Sequence, residues 1–181
     1  AYCATLCEDG ERAATMDTIA ARAGVSKGGL LYHFTSKEAL AEATIDRFGE
    51  VAGRHLEEMA HAAEGPSRHF VRTSVQADTE LDRWFGAVQR LAQAAHGPAI
   101  EALESVHASW LGLIRDEVDD EHAAEAIMLI GEGLYYHTTM PGSWSRGTFT
   151  ASLESLLEQV DRLRQPAERT PPDQRGSPPS R

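Results

Sequence analysis

The residues between Thr15 and Lys37 combine polar side chains and small residues in a pattern that suits contact with DNA. One short predicted helix exposes a polar face with almost no bulk at its start, and this would allow close approach to a major groove. The free amides at the start of the next helix, with the Lys37 ammonium, form a potential phosphate site. The residues of the first face are Lys27, Gly28, Gly29, Leu31, Tyr32 and His33.

The elements that must position this face are two short helices joined by a tight turn. Thr15 and Ser26 are suited to cap helices at residues 16–23 and 26–34, and Gly24 supplies the positive φ that the turn needs. Two adjacent glycines in a helix should cost about 1 kcal/mol each against alanine. A packing role could explain one of them, and close approach of the backbone to a phosphate or base explains both. The pattern predicts a helix-turn-helix. The residues expected to point inward are Ile19, Ala20, Val25, Leu30 and Phe34.

Charge along the chain has one local exception. The 181 residues carry a formal net charge of −11, which argues against a general nucleic-acid coat protein. The segment 18–37, however, contains Arg22, Lys27 and Lys37 and no acidic residue. Short acid-free stretches occur by chance, so this basic segment gains meaning only because a binding geometry coincides with it.

The rest of the chain predicts helices and no strands, because the apolar residues follow the helical period and do not alternate. We therefore expect an all-α fold of about nine helices, with an N-terminal three-helix domain and a C-terminal helical bundle. The longest helix should span residues 36–62. Since no run of eighteen apolar residues occurs, we expect no membrane span. The later helices are predicted at 67–77, 79–95, 98–118, 121–139 and 148–165.

Residues 15–40, TMDTIAARAGVSKGGLLYHFTSKEAL, resemble the DNA-binding domain of TetR-family transcriptional regulators. They match the skeleton T-x-x-x-IA-x-x-AGVS-x-G-x-L-x-x-HF-x-SKE-x-L at nearly every position. Leu31 stands where the family usually has tyrosine, and Tyr32 follows it. The family's first helix normally begins some ten residues earlier, so we expect residues upstream of Ala1.

The resemblance implies a division of the chain into three parts. These are a helix-turn-helix DNA-binding domain at 1–47, an effector-binding and dimerisation domain at 48–165, and a disordered proline-rich tail at 166–181. In this family the third helix reads DNA, the following helices enclose a small-molecule pocket, and the last two helices form the dimer interface. Ligand binding shifts the fourth helix and changes the spacing of the paired DNA readers.

The resemblance also implies roles for the residues of the first face. Lys27 is expected to contact a base or phosphate, Tyr32 and His33 phosphates, and Lys37 a phosphate as a clamp. Leu31 could touch a thymine methyl group. Thr15 and Ser26 are caps first and phosphate ligands second. The alternative for Lys27 is a solvated lysine without a DNA contact. The alternative for Tyr32 and His33 is that they pack at the end of the helix.

A homodimer on palindromic DNA is expected, because one reader with few phosphate contacts on an acidic chain would bind weakly. The predicted helix 121–139 is apolar on more faces than one neighbour can cover, and Gly131 and Gly133 could allow close contact across an interface. The alternative is that the last two helices are central core. The predicted dimerisation residues are Ile127, Gly131, Leu134, Leu153, Leu156, Leu157 and Val160.

The pocket prediction depends on aromatic and sulfur-containing residues, and it implies an apolar or aromatic effector whose identity the sequence does not give. Such residues at helical spacing are more often core. His55 and Met59 are the expected relay positions on the long helix. No metal or other cofactor is predicted, since the histidines lack ligand spacing. The predicted pocket residues are Met59, Phe70, Trp84, Phe85, Val88, His107, Trp110, Met128 and Tyr135.

The functional prediction is a cytoplasmic, ligand-responsive repressor that is released from double-stranded operator DNA by a small-molecule effector. No nucleophile elbow, phosphate-binding loop, Rossmann glycine pattern or HExxH motif is present, so an enzyme is not expected. The alternative is a helical bundle that binds a small molecule or a protein partner and keeps the helix-turn-helix only as a structural element. The sequence does not separate a repressor from an activator.

Overall fold

The structure is a computed structural model, and it describes residues 1–139 and 152–165. Within these ranges it contains α-helices, one short 3₁₀ turn at Glu11–Ala13 and no strand, which confirms the all-α prediction and its helix-turn-helix. The predicted tail 166–181 and the start of the last predicted helix lie outside the described residues. The helices are α1 Tyr2–Asp9, α2 Met16–Ala23, α3 Lys27–His33, α4 Lys37–Ala60, α5 Pro66–Thr73, α6 Glu80–Gln93, α7 Gly97–Glu117, α8 Glu121–Thr139 and α9 Leu153–Leu163.

The turn between α2 and α3 forms by the predicted local chemistry. The Thr15 hydroxyl accepts a hydrogen bond from the Thr18 amide at 3.2 Å, and the Ser26 hydroxyl accepts one from the Gly29 amide at 3.0 Å. Gly24 ends α2 in the left-handed region with φ 69°. The side chains that hold α2 and α3 inward include Ile19, Ala20 and Leu30, all buried as predicted.

The prediction that Val25 points inward is wrong, because this side chain is 48% exposed. The turn is closed by backbone instead: the Val25 amide donates to the Ala20 carbonyl at 3.0 Å, as in a Schellman motif. The hydrogen bond fixes the chain direction without the side chain, so Val25 remains at the surface beside α3.

α4 joins the two halves of the chain. It is 24 residues long, or about 36 Å at the usual helical rise. The predicted domain boundary after residue 47 lies inside this helix, so the halves share it. Buried residues run along its length, from Leu40 through Phe48 to Met59, and α4 packs against both α6 and α7. A shift of α6 or α7 would therefore act directly on the helix that follows α3.

Most of the predicted dimerisation residues on α8 and α9 are buried in the core of the chain itself. Ile127, Leu157 and Val160 are fully buried, and Gly131 is buried too. A Cβ on Gly131 would lie 2.3 Å from the Phe70 ring, so the missing side chain allows close packing of α8 on α5. For these four positions the structure gives the role of central core, and they offer no free surface to a partner. Leu134, Leu153 and Leu156 remain half-buried.

Ion pairs hold α9 against the bundle. Arg68 of α5 contacts Asp161 of α9, and Arg164 pairs with Glu117 of α7. Glu117 also accepts from the Ser67 amide at 2.8 Å, so one carboxylate joins the end of α7, the start of α5 and α9. This arrangement fixes α5, whose other side faces the cavity described below.

Candidate nucleic-acid interface and effector cavity

The outer face of α3 presents large side chains to solvent. Tyr32 is 85% exposed and its ring stands edge-on to His33, with ring centroids 5.2 Å apart. Leu31 is 36% exposed, whereas Leu30 is buried against the other helices. Tyr32 therefore contributes little to the core, and its ring is accessible to a binding partner.

The two glycines of α3 have open space around them. A Cβ at Gly28 would meet no atom within 4 Å, and one at Gly29 would meet only the Ser26 hydroxyl, at 3.2 Å. Neither glycine has the positive φ that marks a strained turn. Neither packing nor backbone conformation requires a glycine at position 28, and the backbone of α3 is open to close approach there.

Each cation of the basic segment is already paired with an acid. The Lys27 ammonium lies 2.8 Å from an Asp17 carboxylate oxygen. The Lys37 ammonium donates to the Glu11 carbonyl at 2.7 Å and to its carboxylate at 2.6 Å. Arg22 pairs with Glu8 and Asp9. The segment is therefore free of acids in sequence but not in space.

The segment taken alone does not show these pairs, because the acids precede it in the sequence. The acidic residues Glu8, Asp9, Glu11 and Asp17 all lie upstream of residue 18, and the folding of α1 and α2 against α3 and α4 returns them to the lysines. A search for charges across the predicted turn, and not only along the chain, could have found Asp17. Lys27, Tyr32 and His33 share the α3 segment, whereas Lys37 lies at the start of α4.

A cavity of about 1230 Å³ lies among α4, α5, α6, α7 and α8. Five of the predicted pocket residues line it: Phe70, Phe85, His107, Trp110 and Tyr135. Four others do not: Met59, Val88 and Met128 are buried in the core, and Trp84 packs half-buried against it. Helical periodicity marks the inward side of a helix, but it does not distinguish an inward side that meets protein from one that meets a cavity.

The cavity wall is a cluster of aromatic rings. The Phe85 ring lies 5.4 Å from Tyr135, 5.9 Å from His107 and 6.1 Å from Trp110, measured between centroids. Trp110 also contacts Phe70 at 5.7 Å. Such a wall favours flat, apolar ligands, because the rings offer faces and edges for stacking.

Polar groups interrupt this aromatic wall. The Tyr135 hydroxyl donates to an Asp82 carboxylate oxygen at 2.5 Å. Burial, followed by the hydrogen bond and charge of Asp82, raises the pKa of Tyr135, so the phenol stays neutral. The predicted pocket consisted mainly of aromatic and sulfur-containing residues and did not include the charged and hydroxyl-bearing part of the lining. The missed residues include Asp82, Arg83, Arg90, Glu132, Thr138 and Thr139.

His55 also lines the cavity and combines a ring with a polar atom. Burial, and then the nearby His69, lower the pKa of His55, which keeps the imidazole neutral at pH 7. The Thr73 hydroxyl donates to the His69 carbonyl at 2.9 Å, so it accepts from His55 Nε2 at 3.3 Å. His55 Nδ1 is then an acceptor, and it has no hydrogen-bond partner among the described residues. Of the two expected relay positions, His55 lies at the cavity and Met59 does not.

Neither a metal cluster nor a membrane span is found in the described parts of the chain. No group of three or more histidine, cysteine, aspartate or glutamate side chains there could hold a metal ion. None of the described helices is long and apolar enough to cross a bilayer.

Comparison with known proteins gives one match. Residues 4–44, from α1 into the first third of α4, match the family model described as bacterial regulatory proteins, tetR family. No curated protein and no solved structure shows a significant match to the chain. The matched segment contains every residue of the exposed α3 face.

Proposed function

We propose that this chain is a ligand-responsive repressor, because residues 4–44 match the tetR family of bacterial regulatory proteins and so support a helix-turn-helix transcription regulator of that type. In this proposal a homodimer binds a palindromic operator in the cytoplasm and a small-molecule effector releases it. The chain acts by binding, not by catalysis.

The observation that carries the DNA-binding proposal is the exposed face of α3. It combines an open backbone at Gly28 with the outward Tyr32 on the helix that follows the left-handed turn. Lys27 begins the helix and Lys37 begins the next one, so both lysines flank this face. The proposed contacts are Lys27 to a base or phosphate, Tyr32, His33 and Lys37 to phosphates, and Leu31 to a thymine methyl group. Gly28 and Gly29 allow close approach, and Thr15 and Ser26 add hydroxyls at helix starts.

We infer a dimer because a single α3 face would bind DNA with low affinity. With its cations paired to acids, a single α3 face gains little from phosphate attraction, so two faces on a two-fold axis are needed for tight binding. The apolar surface of α8 and α9 includes Leu129, which is 66% exposed, and the half-buried Leu134, Leu153 and Leu156 of the predicted set.

The effector proposal is supported by a contact between the cavity and α4. Phe85 lines the cavity and its ring also lies 6.0 Å from Phe48, a fully buried residue of α4. A ligand that displaces Phe85 therefore acts on α4 through one side chain. The aromatic wall favours an apolar or aromatic effector, and the polar side chains in the lining give that effector groups to recognise.

Selection from a random duplex library with the full chain tests the DNA-binding proposal. We expect enrichment of a palindrome whose affinity falls as salt rises, since phosphate contacts release counterions. Absence of any enriched sequence at low salt would overturn the proposal. That result would favour the second candidate, a binding bundle with a helix-turn-helix kept for structure, to which the ion pairs of Lys27, Lys37 and Arg22 lend support.

Gly28→Ala should separate DNA binding from stability. The added methyl group meets no atom of the chain, and alanine is favoured over glycine in a helix by up to about 1 kcal/mol, so stability should be retained or slightly raised. Operator affinity should fall by about tenfold, because the methyl group enters the gap between α3 and DNA and costs about 1.4 kcal/mol. Thermal unfolding and fluorescence anisotropy measure the two effects. Unchanged operator affinity would show that DNA does not approach this backbone.

Gly133→Trp should block the cavity. Gly133 lines it, and an added Cβ there meets no atom within 4 Å. Binding of the aromatic dye 8-anilinonaphthalene-1-sulfonate should weaken by at least about tenfold, or 1.4 kcal/mol. Gly49→Trp is the matched control, since Gly49 has equally open surroundings on α4 and does not line the cavity. Equal dye binding by both variants and the unaltered chain would argue against an accessible apolar site.

A further inference from the structure

We propose that Asp17 determines DNA specificity by occupying Lys27 until α3 docks on its operator. This inference rests on the proposed DNA-binding function. The Asp17 carboxylate pairs with the Lys27 ammonium as a DNA phosphate would. Lys27 leaves Asp17 only where other contacts of α3 compensate for the lost ion pair. The pair therefore lowers affinity for arbitrary DNA more than affinity for the operator.

The turn of the helix-turn-helix builds the pair. Asp17 lies in the first turn of α2 and Lys27 is the first residue of α3. They are ten positions apart in sequence, and the left-handed Gly24 between the helices reverses the chain so that their charged atoms lie 2.8 Å apart. Both side chains are well exposed, at 70% and 52%, so DNA can reach the pair.

Asp17 is held in place independently of Lys27. A carboxylate in the first turn of a helix is stabilised by the helix dipole, and the Thr15 cap fixes the start of α2. The lysine, in contrast, gives up little when it leaves, because an exposed ion pair contributes about 0–1 kcal/mol. A loose phosphate contact on an arbitrary duplex does not repay this loss, whereas the closer docking of α3 on the operator does, so Lys27 exchanges the carboxylate for a phosphate only there.

Lys37 does not exchange partners in this way: two of its three N–H donors bind Glu11, and the third is left for the proposed phosphate contact. Its ammonium donates to both the carbonyl and the carboxylate of Glu11, and its side chain is less exposed, at 34%. Those bonds tie α4 to the 3₁₀ turn. Of the two lysines at the DNA-facing surface, Lys27 is therefore the exchangeable one, and Asp17 controls it.

The effect of the Asp17–Lys27 pair on DNA affinity depends on the charge of the residues around it. Residues 1–47 carry seven acidic and five basic side chains, so this part of the chain has no general attraction for DNA. On an arbitrary duplex, Lys27 stays with Asp17 and the pair adds no phosphate contact. On the operator, the base contacts of α3 offset the loss of the ion pair, and Lys27 turns to the DNA.

Asp17→Asn tests this proposal, because asparagine has nearly the same shape without the charge. Affinity for a random-sequence duplex should rise several-fold at low salt, and its salt slope should steepen by about 0.9, the value for one added phosphate contact. That contact corresponds to an extra loss of about threefold between 50 and 200 mM salt. Affinity for the selected palindrome should rise less, so the ratio of specific to non-specific binding should narrow. Asp17→Glu should restore the ratio.

Glu42→Gln is the matched control for net charge. Glu42 is exposed on α4 in the same part of the chain and has no ion-pair partner among the described residues. It should leave both salt slopes unchanged. If the unaltered chain binds its operator, but Asp17→Asn raises the affinity for both DNAs equally or changes neither affinity, the proposed role of Asp17 is overturned. Failure of the unaltered chain to bind any selected duplex would instead overturn the proposed function.

Discussion

Replacing Lys27 or Tyr32 with alanine should weaken operator binding by about 10- to 100-fold each, in line with 1–3 kcal/mol for a direct DNA contact. Both side chains are exposed at the α3 face, and neither supports the core. The melting temperature should therefore stay unchanged. Lys27→Ala should also reduce the salt slope by about 1 if Lys27 meets a phosphate.

Fluorescence anisotropy on the selected palindrome measures these losses. Tyr32→Phe separates the phenolic hydroxyl from the ring, because it removes only the hydrogen-bonding group. Arg162→Ala is the charge control: it removes a cation on α9 whose hydrogen bond is to Gln159. Unchanged operator affinity in both alanine variants would contradict the assignment of α3 as the reader.

Phe48→Ala should lower the free energy of unfolding by about 3–5 kcal/mol, the usual cost of removing a buried phenylalanine. Phe48 is fully buried in the middle of α4 and its ring packs against Phe85 of α6. The loss leaves a cavity where the DNA-binding part of the chain meets the bundle. For a chain of this size the melting temperature should fall by about 10 °C.

Calorimetry and urea unfolding check this expectation. Phe48→Leu should cost less, about 1–2 kcal/mol, since most of the volume is kept. Ile100→Ala is the surface control, because Ile100 is 38% exposed and should cost well under 1–2 kcal/mol. A loss at Phe48 no larger than at Ile100 would show that α4 is not packed on α6 at this point.

The helix-turn-helix could be predicted because its determinants are local. Thr15 and Ser26 cap the helices that follow them, and Gly24 adopts the left-handed backbone conformation that glycine accepts more readily than other residues. Ile19 and Leu30 are buried by the short-range packing of α2 and α3. None of these features needs a distant part of the chain, so a single sequence carries them.

The side-chain pairs and the cavity could not be predicted because they depend on long-range placement. Asp17 reaches Lys27 only after the turn folds, and Glu11 reaches Lys37 across 26 positions. Gly131 suggested a contact between subunits, but its space is filled by Phe70 of the same chain. Periodicity alone also could not tell Val88, in the core, from Phe85, at the cavity.

Methylation interference on the selected palindrome tests the central claim, that paired α3 helices read the major groove, most directly. Dimethyl sulphate methylates guanine N7 in the major groove and adenine N3 in the minor groove. We expect N7 methylation to block binding in two symmetric clusters whose centres lie about 10 base pairs, or a multiple, apart. Interference confined to adenine N3, or in one cluster only, would contradict a dimer that reads two major-groove half-sites.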